Sequence, residues 1–198
     1  MKDRESWLLG LFVGDGSLSK GLNSDYKISF YLESVRFAQV VCKDISEIYG
    51  AKPRIYIYKK KKCYEVYFRN KNVWRNFLEI KNNLTKLKNK IKFPINFIAG
   101  IIDAEGHIDL KGYRITITLK SSEISKLVLY FLRKIGIIPK VYKTSDESYR
   151  IRIYGKKNML KFLPYLKNPE KIEKLLLMVP RQQTGPTVRG ESQGSEPD

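Results

Sequence analysis

The chain is written twice. WLLGLFVGDG (Trp7 to Gly16) and FIAGIIDAEG (Phe97 to Gly106) share, in order, an apolar run of helix length, Gly10 or Gly100, a small residue at Gly14 or Ala104, an acid and a glycine. The match continues downstream. Tyr26-Lys27-Ile28-Ser29-Phe30 corresponds to Tyr113-Arg114-Ile115-Thr116-Ile117, Ser34 to Ser121, Gly50 and Pro53 to Gly136 and Pro139, and Phe77-Leu78 to Phe162-Leu163. The offset shrinks from 90 (Trp7 to Phe97) to 85 (Phe77 to Phe162), as expected when only loop lengths differ. The chain therefore reads as two copies of one unit, and each copy, at about 80 residues, is too small to bury its faces well alone.

Within a copy the periods are legible. After the first helix, alternation of period two sets Ile28, Phe30 and Leu32 on one face and Lys27, Ser29 and Tyr31 on the other. A helix then runs from Ser34, as N-cap, to a stop at Gly50. Strands over Arg54–Lys60 and Cys63–Arg69 and a helix over Lys71–Ile80 complete the unit, and the same order recurs from Pro94 to Tyr165. The expected class is α+β, with two pseudo-symmetric αββαββα repeats. Residues 1–80 form the first and 94–179 the second, ending in a helix over Pro169–Val179. A basic linker, 81–93, with Leu84, Leu87 and Ile91 at helical spacing, joins them, and a polar tail, 180–198, is expected to be disordered.

The small pairs Gly10/Gly14 and Gly100/Ala104, each four apart, make smooth stripes along which two helices can approach closely. Packed so, their C-terminal ends meet and bring Asp15 and Glu105 together. A helix C-terminus repels an acid, and two acids repel each other, so the arrangement calls for a cation. Carboxylates and helix-end carbonyls are all oxygen donors, which suits Mg²⁺ or Ca²⁺ rather than zinc. One acid-glycine turn would be an ordinary turn; two in register make a site.

The charge balance indicates the substrate. Lys plus Arg number 38 against 20 Asp plus Glu, a net +18, which points to a polyanion. The longest apolar runs, Trp7–Val13 and Phe97–Ile102, are far short of the ~20 residues of a bilayer span. The N-terminus lacks a secretory pattern, and Cys42 and Cys63 lie in apolar stretches, so a reduced, cytoplasmic protein is expected. A single histidine, His107, leaves no zinc-finger ligand set and no serine-protease triad. Hydrolytic chemistry would rest on carboxylates, lysines and a metal.

On these residues the chain resembles the LAGLIDADG homing endonucleases, in the single-chain, two-repeat form of archaeal intron-encoded members. Ile98-Ala99-Gly100-Ile101-Ile102-Asp103-Ala104-Glu105-Gly106 is nearly a letter-for-letter match to the family signature, and Leu8-Leu9-Gly10-Leu11-Phe12-Val13-Gly14-Asp15-Gly16 is a looser one. The resemblance spans residues 6 to 179. It implies a saddle of two four-stranded antiparallel sheets astride duplex DNA, with Asp15 and Glu105 holding catalytic cations aided by the carbonyls of Gly14 and Ala104. It also implies a monomer that cuts both strands of a long, non-palindromic target to leave 5′-phosphates and short 3′ overhangs. The metal would be Mg²⁺, with Mn²⁺ substituting and Ca²⁺ binding without cleavage. Members often carry Gln or Asn before a Lys on the strand near the active centre. Here Leu32-Glu33 and Leu119-Lys120 stand there, leaving Lys120 as the one basic catalytic candidate.

The nucleic-acid surface is expected on the outer strand faces, where the major groove admits a two-stranded ribbon. Arg54, Tyr56, Tyr58 and Lys60 point outward with Ile55 and Ile57 inward; Arg114, Thr116, Thr118 and Lys120 oppose Ile115, Ile117 and Leu119; Arg150 and Arg152 alternate with Tyr149, Ile151 and Ile153. Acids are scarce on these faces. The turn Lys59-Lys60-Lys61-Lys62 suits phosphates. Lys20, Lys27, Ser29, Tyr31, Tyr67, Arg69, Lys111, Lys140 and Tyr142 complete the candidates. Two rival readings share this basic surface: an intron RNA maturase, which would not need the acids, and a DNA-binding regulator with a dead site. An intein-embedded nuclease is disfavoured, because neither Met1-Lys2 nor Pro197-Asp198 carries splicing residues.

Overall fold

A computed structural model describes residues 3–21, 25–58 and 62–180. The first half runs α1 (Asp3–Asp15), β1 (Gly16–Lys20), β2 (Tyr26–Leu32), α2 (Val35–Tyr49), β3 (Arg54–Tyr58), β4 (Cys63–Arg69), α3 (Lys71–Asn82) and α4 (Leu84–Lys90). The second runs α5 (Pro94–Glu105), β5 (Gly106–Asp109), β6 (Arg114–Leu119), α6 (Ser122–Lys134), β7 (Lys140–Lys143), β8 (Tyr149–Tyr154), α7 (Lys156–Leu160) and α8 (Pro169–Leu176). Each half builds one four-stranded antiparallel sheet, ordered β1-β2-β4-β3 and β5-β6-β8-β7. The α+β class and the repeated order are therefore observed. Within the linker range, α4 folds as a helix whose Leu87, with Ile91 just beyond it, is buried. The polar tail after Pro180 and the turn lysines Lys59, Lys60 and Lys61 lie outside the described residues.

Local chemistry explains the matching boundaries. The Ser34 hydroxyl accepts from the Phe37 N–H at 3.2 Å and Ser121 from Ile124 at 3.3 Å, capping α2 and α6. Gly50 (φ 60°) and Gly136 (φ 75°) follow the same two helices in the left-handed conformation that a side chain would strain. Asn70 and Asn168 cap α3 and α8 in the same manner. The last helix ends at Leu176 rather than Val179, giving way to a turn.

One continuous core unites the halves. Trp7, Leu8 and Leu11 of α1 and Phe97, Ile98 and Ile101 of α5 are fully buried at its centre, flanked by Ile28, Phe30 and Leu32 on one side and Ile115, Ile117 and Leu119 on the other. One expectation fails at the sheet edge. Ile55 and Ile57 were expected to point into the core, yet they are 38% and 54% exposed. They share the face of buried Val66, opposite Ile55, but β3 is the outermost strand and α2 packs chiefly over β4. Parity placed their side chains on the inner face, but among the described residues α2 reaches that margin less than it reaches β4.

Candidate active site and nucleic-acid face

The site begins with two glycines. A methyl group on Gly10 would overlap the carbonyl of Phe97, and one on Gly100 would overlap the carbonyl of Trp7, so each helix lies with its backbone against the other at the stripe. One turn on, Gly14 faces Ala104, and a β-carbon there would sit 3.1 Å from the Glu105 Cγ. The C-terminal ends of α1 and α5 therefore meet, and Asp15 and Glu105 close them side by side. Gly16 and Gly106 take the chain straight into β1 and β5, where any side chain would strike Phe12 or Ile102 of the preceding turn. Both sheets thus descend from the same point.

The electrostatics follow from that geometry. Burial first, then Glu105 and Glu33, push the Asp15 carboxyl up to about 7, against the pull of Lys171. Burial also raises Glu105, opposed by Lys171 and Lys120. Lys120, exposed just after β6, is thereby brought near Glu105, while Glu33 occupies the matching place near Asp15. No group of three or more His, Cys, Asp or Glu side chains is gathered to hold a metal among the described residues. A divalent cation still fits this oxygen-only end, because two raised, mutually repelling carboxylates lie beside helix-end carbonyls. Its coordination would have to be completed by Gly14 and Ala104 carbonyls, solvent and a nucleic-acid phosphate.

Two residues escaped sequence reasoning. Lys171 of α8 is buried and donates through Nζ to the carbonyls of Ile102 and Asp103, both at 2.7 Å, and of Ala104 at 3.4 Å. Asp103 is buried too, and its Oδ2 accepts from the Trp7 indole N–H at 2.8 Å and from the Lys167 backbone N–H at 2.7 Å. Burial raises its carboxyl to about 6 despite these donors. Lys167 also pairs with buried Asp44 of α2 and lies 4.7 Å over the Trp7 ring. Nothing in the spacing of 167–171 reveals these partners, which belong to distant parts of the chain.

The outer strand faces carry most of the expected candidates. In the second sheet Thr116 stands between His107 and Arg152, Arg152 is followed by Lys140, and Arg150 lies between Thr118 and Tyr142. Arg152 packs over the Tyr142 ring at 4.7 Å. Arg150, Lys140 and Lys111 are exposed, and Arg114 pairs with Asp109 at 2.8 Å. In the first sheet Arg54, Tyr56, Tyr31, Lys20, Lys62 and Arg69 are exposed, with Arg69 paired to Asp25. Ser29 departs from expectation: it is 3% exposed and donates to Glu65 at 2.6 Å. The scarcity of acids also fails here, since Glu65 sits between Tyr31 and Tyr56 on this face. Lys27 pairs with it at 2.6 Å and the Tyr58 hydroxyl donates to it at 3.1 Å. Alternation assigned Ser29 its face, but its neighbours cover it.

Comparison with known proteins agrees with this fold. A LAGLIDADG-like domain matches residues 92–167 and the WhiA LAGLIDADG-like domain matches residues 4–92. The chain therefore belongs to the LAGLIDADG family, with one such domain in each half. It is similar to the homing endonuclease I-DmoI in complex with DNA and Mn (22% identity, TM-score 0.63, 83% of this chain and 96% of that one) and with DNA and Ca (19%, TM-score 0.67, 88% and 97%). It is also similar to the N-terminal LAGLIDADG domain of WhiA (16%, TM-score 0.61, 86% of each). Among curated relatives, probable translation initiation factors IF-2 of Methanocaldococcus jannaschii and Thermococcus kodakarensis are 29% and 26% identical over 79% and 81% of this chain. The chain spans about 14% of the length of either. Among the described residues, no helix is long and apolar enough to cross a membrane.

Proposed function

We propose that the protein is a site-specific DNA endonuclease that hydrolyses both strands of a long, non-palindromic target with Mg²⁺, acting as a monomer. The observation that carries this reading is the meeting of Asp15 and Glu105 at the end of a glycine-packed helix pair, where both basic sheets begin. Divalent cations held there would supply Lewis acidity to the scissile phosphate and a more acidic water. Asp15 and Glu105, with the Gly14 and Ala104 carbonyls, would hold the cations; Lys120 would neutralise charge on the phosphate beside Glu105. In the hydrolysis, water oxygen bonds to phosphorus, the bond from phosphorus to the 3′ oxygen breaks, and a proton passes to that oxygen. The strand faces bearing Arg150, Arg152, Thr116 and Tyr56 would lie in the major groove.

I-DmoI structures contain target DNA and Mn, Mg or Ca, which supports this reading by likeness of fold. A second reading, a LAGLIDADG protein that binds nucleic acid without cutting it, is favoured by the WhiA-type match of the first half and by Glu33, an acid where a basic helper would serve. Incubation of the purified protein and Mg²⁺ with DNA spanning the uninterrupted insertion site separates them. Linear product that vanishes in Asp15→Asn and Glu105→Gln, with DNA affinity kept, supports the nuclease. Tight binding of that DNA with every strand intact would sink it, and promotion of intron splicing instead would favour an RNA partner.

A further inference from the structure

Lys171 is an interior ammonium at the centre of the candidate site, and it forms no ion pair with a carboxylate among the described residues. Its hydrogen bonds go to three successive carbonyls, of Ile102, Asp103 and Ala104, at the end of α5. Its charge is felt by four acids, Asp103, Glu33, Asp15 and Glu105. No comparable side chain donates to the carbonyls that end α1 among the described residues. In chain order α4 is the counterpart of α8, yet its Lys86 and Lys90 pair with Glu79 at the surface, at 3.1 and 3.3 Å. Among the described residues the pseudo-symmetric site thus has one buried ammonium, on the α5 side only; Lys120, near Glu105, is exposed.

We infer that Lys171 is a positioning residue that serves as the resident cation of the site and makes its two halves unequal toward divalent metal. The inference rests on the reading that Asp15 and Glu105 hold such ions. Two physical consequences follow. The Ala104 carbonyl shares its lone pairs with the ammonium, whereas that of Gly14 does not, so the α5 side is the poorer oxygen donor. A fixed positive charge beside both carboxylates also opposes any incoming dication. One cation should therefore bind before the other, and at limiting metal the enzyme should nick its target before cutting it through.

The test uses Mn²⁺ alone, titrated into the full chain and followed by electron paramagnetic resonance, with folding checked by circular dichroism. Lys171→Met keeps the aliphatic stem and should bind Mn²⁺ about tenfold or more tightly than the parent. Lys171→Arg keeps the charge and should restore the parental affinity, which a purely structural role would not demand. Should Lys171→Met fail to fold around the Asp103 carboxylate it leaves behind, Lys171→Met with Asp103→Asn, measured against Asp103→Asn alone, provides the same comparison. Unchanged or weaker Mn²⁺ binding in a folded Lys171→Met protein overturns the inference, as does the absence of Mn²⁺ binding in every variant. Tighter binding without DNA cleavage by any variant leaves the inference standing and removes the nuclease; cleavage by the parent with Mn²⁺ affinity unmoved by Lys171→Met does the reverse.

Discussion

The indole of Trp7 on α1 donates to the carboxylate of Asp103 on α5 at 2.8 Å, a polar bond between the two most buried helices of the molecule. The second carboxylate oxygen, Oδ1, has no hydrogen-bond partner among the described residues, so the group depends on few donors. Trp7→Phe fills much of the same volume and removes the N–H. It should lower unfolding free energy by about 1–3 kcal/mol. Urea denaturation followed by circular dichroism reads the change, and a shift in midpoint without a change in slope would show that stability alone has moved.

The close approach of the helices gives a sharper expectation. Gly10→Ala places a methyl where the Phe97 carbonyl lies, and Gly100→Ala places one on the Trp7 carbonyl; backbone cannot step aside as a side-chain tip can. Each should destabilise the fold by about 1–3 kcal/mol or more, a fall in Tm of about 2–4 °C per kcal/mol. Parent-like melting of either variant would mean that the helices are not in backbone contact.

The stripe was legible because small residues four apart in two copies leave few ways to pack. The caps Ser34 and Ser121 and the stops Gly50 and Gly136 were legible for a similar reason: their partners lie within a few residues. What escaped was set by distant partners. Period two placed Ser29 on the outer face, but not Glu65 on the neighbouring strand, which covers it. Amphipathic spacing marks Lys171 as one more polar helix residue; only the docking of α8 on α5 makes it an interior cation.

Two buried acids, Asp15 and Asp103, make stability depend on pH. Asp15 moves from 3.8 to about 7 and Asp103 from 3.8 to about 6 on folding. Between those values the native chain holds protons that the unfolded chain has released, so without metal its stability falls as pH rises through that window. Thermal melts from about pH 5 to about pH 8 should show Tm declining, and Asp15→Asn should flatten the decline and melt at least about 2 °C higher at the alkaline end. Added Mg²⁺ should raise the parental Tm there more than at the acid end, since binding competes with protons. A Tm that rises with pH in the metal-free parent contradicts the assignment of raised carboxyls.

The outer faces predict opposite effects for residues that look alike in sequence. Arg150 is exposed and unpaired among the described residues, so Arg150→Ala should weaken DNA binding and reduce the slope of log affinity against log salt by about one. Ser29 is covered, and Ser29→Ala should leave affinity unchanged while costing about 1 kcal/mol of stability through the lost bond to Glu65. Glu65 itself holds Lys27 and the Tyr58 hydroxyl away from a ligand. Glu65→Gln removes a negative charge from the face and loosens Lys27, so DNA affinity should rise, most at low salt. Electrophoretic mobility shifts at several salt concentrations measure all three. Weaker binding by Glu65→Gln would mean that its carboxylate contacts the nucleic acid directly, as an acceptor for a base amino group, and that this face reads sequence through Glu65 rather than around it.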